Sequence, residues 1–169
     1  MPVEGLTGSN LKSLSKALDR VRKYGRFTMN KEKYLEYIDH FNNKRYDKLE
    51  SYFSPDLTVE FFSDWGMPGM PAGTMQGRQV FLDAYKELHQ HVREVLELGA
   101  FMVEGNQMFA ELYVEFHCFK DHPSVLGRPM KKDEVKIMSN WILYDLENDI
   151  IKRIRVAHFR MIDPKLAKY

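Results

Sequence analysis

Cysteine is almost absent from this sequence, with Cys118 as the single example. A disulfide within the chain is therefore excluded, and a reducing compartment is expected. An excess of positive or negative charge is also lacking, because 25 basic and 24 acidic side chains leave a formal net charge of +1. This balance gives no electrostatic reason to expect a nucleic acid partner. No apolar run approaches the roughly 20 residues that span a bilayer, and the N-terminus lacks the apolar segment of a secretory signal. We therefore expect a cytoplasmic protein that uses neither membrane nor nucleic acid.

Large apolar side chains are plentiful instead. The 169 residues are 44% hydrophobic and 13% aromatic and include ten methionines, enough for one substantial core in one main domain. Aromatic rings and methionines serve equally to fill such a core and to shape a pocket for a flat hydrophobic ligand. Composition alone leaves both explanations open.

Apolar periodicity predicts an N-terminal amphipathic helix and three further helices. The N-terminal helix runs from about residue 10 to residue 24, within an extension of residues 1–27. The next helix can be capped by Thr28 or Asn30. Its buried face has apolar residues at i, i+3, i+4 and i+7, namely Tyr34, Tyr37, Ile38 and Phe41. A short helix around Leu49 follows, and the last helix spans Gly77 to about His91.

A long loop separates the short helix and its following strand from the last helix. Residues 63–77 contain four glycines and two prolines, a density that predicts irregular structure. A solvated loop has little use for large apolar side chains, so we interpret this one as a lid over the mouth of a cavity. Its apolar residues are Trp65, Met67, Met70 and Met75.

Five strands are predicted, at residues 57–62, 92–103, 107–120, 134–146 and 150–162. Side chains alternate between the faces of a strand. In the last strand, Ile154 and Val156 mark the inward face, and the same alternation places His158 inside. The strand before it is apolar on both faces, so the pattern does not decide between Asn140 and Trp141 as the inward residue. We expect the face that carries Trp141 to be buried against a second subunit or the N-terminal helix.

The order of these elements resembles the nuclear transport factor two-like superfamily, which includes ketosteroid isomerase, scytalone dehydratase and the SnoaL-like cyclases. The resemblance covers residues 28–162, and a C-terminal tail of residues 163–169 lies beyond it. It depends on five segments of the chain: Glu36 to Asp39, Tyr46 to Glu50, Ser54 to Phe61, Gly77-Arg78 and Asn140 to Arg155. The implied fold is α+β, a cone-shaped, curved, mixed but mostly antiparallel sheet wrapped around three helices.

The resemblance also suggests site residues. Tyr37 lies where ketosteroid isomerases have the tyrosine of their oxyanion hole, and Asn140 lies where scytalone dehydratase has an asparagine that holds its substrate. This favours Asn140 as the inward residue. Two departures exclude the usual chemistry of these relatives, since Phe61 replaces the general-base aspartate of the isomerases and Asn42 replaces an aspartate of the dehydratase.

His158 is the candidate general base, because a buried imidazole stays neutral and titrates near neutral pH. Tyr37 and Asn140 would hold a developing oxyanion. Each of the three could instead be a buried polar residue with a purely structural role. His89 and His91 diverge on their helix, so we predict no metal site, and His91 is the better ligand contact. The other predicted substrate contacts are Phe41, Phe61, Trp65, Met67, Met70, Leu112, Val114, Phe116, Met138 and Val156.

Two functions fit this sequence. The first is a cyclase, isomerase or dehydratase without a cofactor, which acts on a hydrophobic, carbonyl-bearing small molecule of the polyketide or terpenoid type. The second is a non-catalytic binding or interaction module of the same fold. We also expect a homodimer that forms through the outer face of the sheet, at Trp141 and Tyr113.

Overall fold

A computed structural model describes residues 29–62 and 73–169. The predicted N-terminal helix and the lid residues Trp65, Met67 and Met70 lie outside these residues. Within these residues there are three α-helices: α1 (Lys31–Asn42), α2 (Tyr46–Leu49) and α3 (Arg78–Leu88). The strands are β1 (Phe53–Phe62), β2 (Thr74–Gln76), β3 (Val92–Glu104), β4 (Gln107–Cys118), β5 (His122–Val125), β6 (Arg128–Met130), β7 (Val135–Glu147) and β8 (Ile150–Ile162).

Helix α1 begins where the sequence indicates. The side chain of Asn30 accepts a hydrogen bond from the Lys33 N–H over 2.8 Å, which satisfies one of the free donors of the first turn. The four apolar residues of the predicted stripe are all buried: Tyr34, Tyr37, Ile38 and Phe41. At the other end of α1, the amide of Asn42 bonds both the N–H and the C=O of Leu96, over 2.8 and 2.9 Å. This pair of bonds fixes the helix to β3.

Six strands form one mixed sheet in the order β2-β1-β8-β7-β4-β3. Among the strands that the structure describes, only the pairing of β1 with β8 is parallel, and the other four pairings in this sheet are antiparallel. Register shifts interrupt β3 between Leu98 and Phe101, and β7 between Ser139 and Asn140. Such bulges bend and twist a strand, and the sheet curves around the helices. The predicted α+β fold is confirmed.

The long strands match the prediction to within about two residues at each end, but three short elements differ from it. Strand β1 begins at Phe53, and its proline, Pro55, falls within a register shift where no ladder bond is needed. Part of the predicted irregular loop is strand β2, which pairs with Thr58 to Glu60. The connection after β4 contains the hairpin β5–β6, whose turn holds Leu126 and Gly127 at positive φ.

The outer face of the sheet has two different parts. The C-terminal residues fold back over β4. The Nζ of Lys168 lies 4.3 Å from the centre of the Tyr113 ring, and the backbone N–H of Lys168 donates to the Oε1 of Glu115 over 2.6 Å. Trp141, by contrast, is 42% exposed and stacks on Phe159 with their ring centres 4.0 Å apart. The tail therefore covers Tyr113, one half of the predicted dimer face, and the homodimer itself stays a prediction.

No helix in the described part of the chain is long and apolar enough to cross a bilayer.

Candidate active site

Two adjacent spaces lie between the helices and the concave face of the sheet. The deeper one, which we call the inner cavity, has a volume of about 60 Å³. The second, the outer pocket, has a volume of about 380 Å³ and extends between α3 and the β5–β6 hairpin. Five residues border both spaces: Phe61, Tyr85, Phe116, Leu126 and His158. The outer pocket is within the size range of small-molecule sites, whereas the inner cavity holds only a small group.

Most of the residues predicted from the sequence line the inner cavity. The apolar ones are Phe41, Phe61, Leu112, Val114, Phe116 and Val156, and the polar ones are Tyr37, Asn140 and His158. The alternation of side chains along β4 and β8 was therefore sufficient to find this wall. Trp65, Met67 and Met70 lie outside the described residues.

Two predicted contacts line neither space. Met138 is 1% exposed and is part of the hydrophobic core, one inward position along β7 from Asn140. His91 lies in the turn after α3, where its Nδ1 is 2.8 Å from the Asp121 carbonyl oxygen and its ring meets that of His122. The helix ends at Leu88, before His91, and so cannot direct that side chain into the cavity. We therefore withdraw both residues as ligand contacts.

His158 and Asn140 form the pair that the sequence predicted on the inner wall. They lie opposite each other on β8 and β7, and the register shift beside Asn140 brings both to the concave face. The Nδ1–H of His158 donates to the Oδ1 of Asn140 over 2.9 Å. Burial lowers the pKa of His158, so the neutral imidazole is favoured. In this tautomer the lone pair is on Nε2, and the amide N–H groups of Asn140 remain donors.

Tyr37 provides a hydroxyl within a cluster of rings. Its ring stacks on Tyr34 and meets the edge of Phe53. Its hydroxyl has no hydrogen-bond partner among the described residues, although Tyr37 lines the inner cavity. Burial, followed by the nearby Tyr144, raises the pKa of Tyr37 well above its usual range. The hydroxyl is therefore protonated at neutral pH and can donate a hydrogen bond.

A second polar group, formed by Glu94, His89 and Tyr46, reaches the inner cavity through Glu94 and was not predicted. Glu94 lines the cavity directly, and its Oε2 lies 3.1 Å from the Nε2 of His89. The Nδ1 of His89 lies 2.5 Å from the Tyr46 hydroxyl. The alternation of side chains along β3 could have predicted this position, because Glu94 lies on the same face of the strand as the buried Val92 and Leu96. Of the two histidines considered at the end of α3, His89 therefore belongs to the site.

The outer pocket also has an unpredicted polar contact. His122, at the start of β5, accepts a hydrogen bond at Nδ1 from the Ser124 N–H over 3.1 Å. Its Nε2–H therefore donates to Glu87 of α3, also over 3.1 Å. This contact joins the hairpin to the helix across the pocket. Met75, predicted in the lid, lines the same pocket from strand β2.

The described residues contain no group of three or more His, Cys, Asp or Glu that could hold a metal ion. The groups available for chemistry in the inner cavity are an imidazole, an amide, a carboxyl group and tyrosine hydroxyls. Together they can move protons and donate hydrogen bonds to an oxygen atom.

Comparison with known proteins gives a family. The family model for the SnoaL-like domain matches residues 34–154, a range that contains every inner-cavity residue named above except Val156 and His158. No curated protein sequence matches this chain.

Solved structures share the fold at low sequence identity. A proposed polyketide cyclase of Pseudomonas putida is 15% identical with a TM-score of 0.58, covering 77% of this chain and 90% of its own. Another, from Xanthomonas campestris, is 17% identical with a TM-score of 0.57, over 72% of this chain and 83% of its own. An LEH-like epoxide hydrolase of M. tuberculosis is 9% identical with a TM-score of 0.53, covering 72% of this chain and 76% of its own. At these identities the similarity shows the fold alone.

Proposed function

Because the chain belongs to the SnoaL-like domain family, we propose that it is a cyclase, isomerase or dehydratase that needs no cofactor. Its substrate is a hydrophobic small molecule with a carbonyl group, of the polyketide or terpenoid type. The reaction begins when a proton is removed from the carbon next to that carbonyl. Relatives of similar fold that are named as cyclases, isomerases and hydrolases of small molecules support this class.

The observation that carries the proposal is the His158–Asn140 pair in the wall of the inner cavity. A general base must be neutral before the reaction, and burial keeps His158 in that form. Its ring is oriented by the hydrogen bond from Nδ1 to Asn140, so the basic atom is Nε2. A base in an apolar wall, within reach of a bound ligand, fits proton abstraction from carbon.

Two donors are present for the negative charge that proton removal places on the carbonyl oxygen. The Tyr37 hydroxyl and the Asn140 amide both line the inner cavity. A preorganised donor of this kind contributes on the order of 3 kcal/mol to the stability of the transition state. Removing either donor should therefore slow the reaction more than it weakens binding.

The sizes of the two spaces suggest how the substrate binds. The outer pocket is large enough for an apolar body, and only a small group can enter the inner cavity. His158 borders both spaces, so the reacting carbon would lie at their junction, with its carbonyl oxygen pointing inward.

Exchange of a carbon-bound proton tests this function without the natural substrate. Benzylacetone, a small hydrophobic ketone, is incubated with the protein in deuterium oxide, and deuterium at the carbons beside the carbonyl is measured by proton NMR. The proposed enzyme accelerates this exchange, and His158→Gln abolishes the acceleration. The alternative, a binding module, predicts that benzylacetone binds without any faster exchange.

A further inference from the structure

The inner cavity contains an acidic group that the proposed base does not need. Glu94 is 6% exposed and reaches the cavity from β3, which is an edge strand of the sheet. His158 lies on β8, so two strands separate the strands that carry these residues, and the curved sheet brings both to one cavity. A cavity that needed only one base would gain nothing from a buried carboxyl group, which is costly to desolvate.

The hydrogen bonds around Glu94 determine which of its oxygens can donate a proton. Tyr46 has one hydroxyl hydrogen and two possible acceptors, the Nδ1 of His89 at 2.5 Å and the Tyr85 carbonyl oxygen at 3.4 Å. We assign the hydrogen to the shorter contact, so that the other ring nitrogen of His89, Nε2, has a hydrogen. That Nε2–H donates to the Oε2 of Glu94. The second oxygen, Oε1, has no hydrogen-bond partner among the described residues. The proton of a neutral Glu94 is therefore on Oε1.

The surroundings of Glu94 favour its neutral form. Burial raises the pKa of Glu94, while the hydrogen bond from His89 opposes that rise. The titratable groups that face it are Tyr37 on α1, Tyr46 on α2, Tyr85 on α3 and His89 just after α3. No lysine or arginine is among the described residues that line the inner cavity, so no permanent cation holds Glu94 ionised.

We propose that Glu94 is the general acid of this site, which protonates a departing hydroxyl group, and that the substrate is a β-hydroxy carbonyl compound that loses water. This inference rests on the proposed function, because it uses the enolate that His158 produces. His89 and Tyr46 are positioning residues that hold the carboxyl group.

The proposed steps are balanced. Nε2 of His158 takes the proton from the carbon next to the carbonyl, and the electron pair of that C–H bond forms the enolate, whose oxygen is held by Tyr37 and Asn140. The enolate then re-forms the C=O bond, a C=C bond forms, and the C–O bond to the β-hydroxyl breaks. Glu94 gives its proton to the leaving oxygen, which departs as water. The products are an α,β-unsaturated carbonyl compound and water, and the proton on His158 returns to Glu94 through solvent.

The volume of the inner cavity is sufficient for a departing hydroxyl group. One water molecule needs about 10 to 15 Å³ of a cavity volume measured with a water-sized sphere, and the inner cavity offers about 60 Å³. The space therefore accepts a departing hydroxyl beside the carbonyl oxygen.

Two probes that differ only by one hydroxyl group test the inference. The first is benzylacetone, which can exchange protons but cannot lose water. The second is the aldol adduct of acetone and benzaldehyde, which has the same skeleton with a β-hydroxyl group and loses water to give benzalacetone. Product is identified by chromatography and mass, so that cleavage to benzaldehyde is distinguished from dehydration. The variants are Glu94→Gln and, as a matched control, Glu104→Gln, an exposed carboxylate on the same strand.

We expect wild-type protein and Glu104→Gln to dehydrate the adduct at similar rates. Glu94→Gln should dehydrate it at least about 100-fold more slowly, which is the usual contribution of a general acid. Proton exchange into benzylacetone should fall by a much smaller factor in Glu94→Gln. Circular dichroism and the midpoint of thermal unfolding show whether the variant is folded. If it is not, Tyr46→Phe serves instead, because loss of a positioning residue should move the alkaline limb of the pH profile.

The outcomes separate the two proposals. Exchange into benzylacetone without dehydration of the adduct, or equal dehydration by wild type and Glu94→Gln, contradicts the role of Glu94 and leaves proton abstraction by His158 standing. No exchange by the wild-type protein contradicts the proposed function itself. An alkaline limb that is the same in wild type and Tyr46→Phe also contradicts the assignment.

Discussion

The ring of His158 donates a hydrogen bond from Nδ1 to the Oδ1 of Asn140 over 2.9 Å, between adjacent strands at the wall of the inner cavity. This contact determines both the tautomer and the orientation of the imidazole. It also connects the candidate base to a candidate oxyanion donor, so a change at Asn140 should alter the behaviour of His158 in a way that can be measured.

Asn140→Asp should raise the pKa of His158. A carboxylate at the position of the amide oxygen favours the charged imidazolium, and an opposite charge at this distance moves a pKa by about 1 to 3 units. Because the neutral imidazole is the base, the acid limb of the exchange rate should move to higher pH. NMR titration of the imidazole C–H protons measures the pKa directly.

The control for this titration is Asn106→Asp, an exposed position in the β3–β4 turn. It adds the same charge far from the cavity and should leave the His158 titration where it was. A His158 pKa that is the same in Asn140→Asp and in wild-type protein would show that the two side chains are not in contact.

The hydroxyls of Tyr34 and Tyr144 should contribute to stability as a pair. They lie 2.7 Å apart, are both fully buried, and join α1 to β7. Tyr34→Phe leaves the Tyr144 hydroxyl without this partner, and we expect a loss of about 1 to 3 kcal/mol in the free energy of unfolding. Urea denaturation of the two single variants and the double variant measures the coupling. The double variant should lose less than the sum of the singles, and strict additivity would contradict the pair.

Asn42→Asp should destabilise the protein. The side chain of Asn42 donates to the Leu96 carbonyl and accepts from the Leu96 N–H. A carboxylate keeps the second bond but loses the donor, which leaves a carbonyl of β3 unpaired at a cost of about 1 to 3 kcal/mol. Urea denaturation at neutral pH checks this value. Unchanged stability would mean that Asn42 does not hold the end of α1 to β3.

Glu115 should make stability depend on pH. Burial would raise its pKa, but the backbone N–H groups of Lys168 and Tyr169, the Tyr113 hydroxyl and His117 stabilise the carboxylate and hold that pKa below its usual range. A group with a lowered folded pKa contributes stability above its unfolded pKa of about 4.3 and loses it as pH falls through the folded value. Glu115→Gln should therefore be less stable than wild type at neutral pH, and the difference should narrow in acid.

Thermal unfolding from neutral pH down to the acid range measures this difference, with Glu104→Gln as the control. A deficit that stays constant over the whole pH range would contradict the role given to the carboxylate.

The outer face at Trp141 should mediate self-association. Trp141 and Phe159 form an exposed stacked pair on β7 and β8. If this pair is the centre of a homodimer, Trp141→Lys should produce monomers in sedimentation velocity, because a charge would be buried without a partner. Leu35→Lys, on the exposed face of α1, should not. A monomeric wild-type protein would contradict the predicted dimer.

The spacing of apolar residues along the sequence was enough to predict the main helices and strands and the inner wall of the site. The 3.6-residue stripe of α1 and the two-residue alternation of β4 and β8 depend on burial, and burial is a direct consequence of residue type. The alternation placed Leu112 and His158 inward without any structural information. It did not decide which face of β7, the strand that carries Asn140 and Trp141, points inward. Both faces of this strand are apolar, and only one of them is covered by the described residues.

The parts that could not be predicted depend on long-range contacts. The short strand β2 exists because it pairs with β1, and nothing in its own three residues indicates a strand. His89 belongs to the site because α3 ends before it and directs it toward Glu94, whereas His91 turns toward Asp121. The helix ends at Leu88, three residues before the predicted end at about His91, and this difference decided which histidine contacts Glu94. Helix ends are the least certain feature of a prediction from sequence.

Rescue of a His158→Ala variant tests the central claim most directly. The variant leaves space for an imidazole molecule at the position of the missing base. Deuterium exchange into benzylacetone is measured for wild type, for His158→Ala, and for His158→Ala with added imidazole, at one pH. We predict that the variant loses the catalysed exchange and that imidazole restores part of it, with a dependence on imidazole concentration that saturates. Exchange by folded His158→Ala at the wild-type rate would contradict the account.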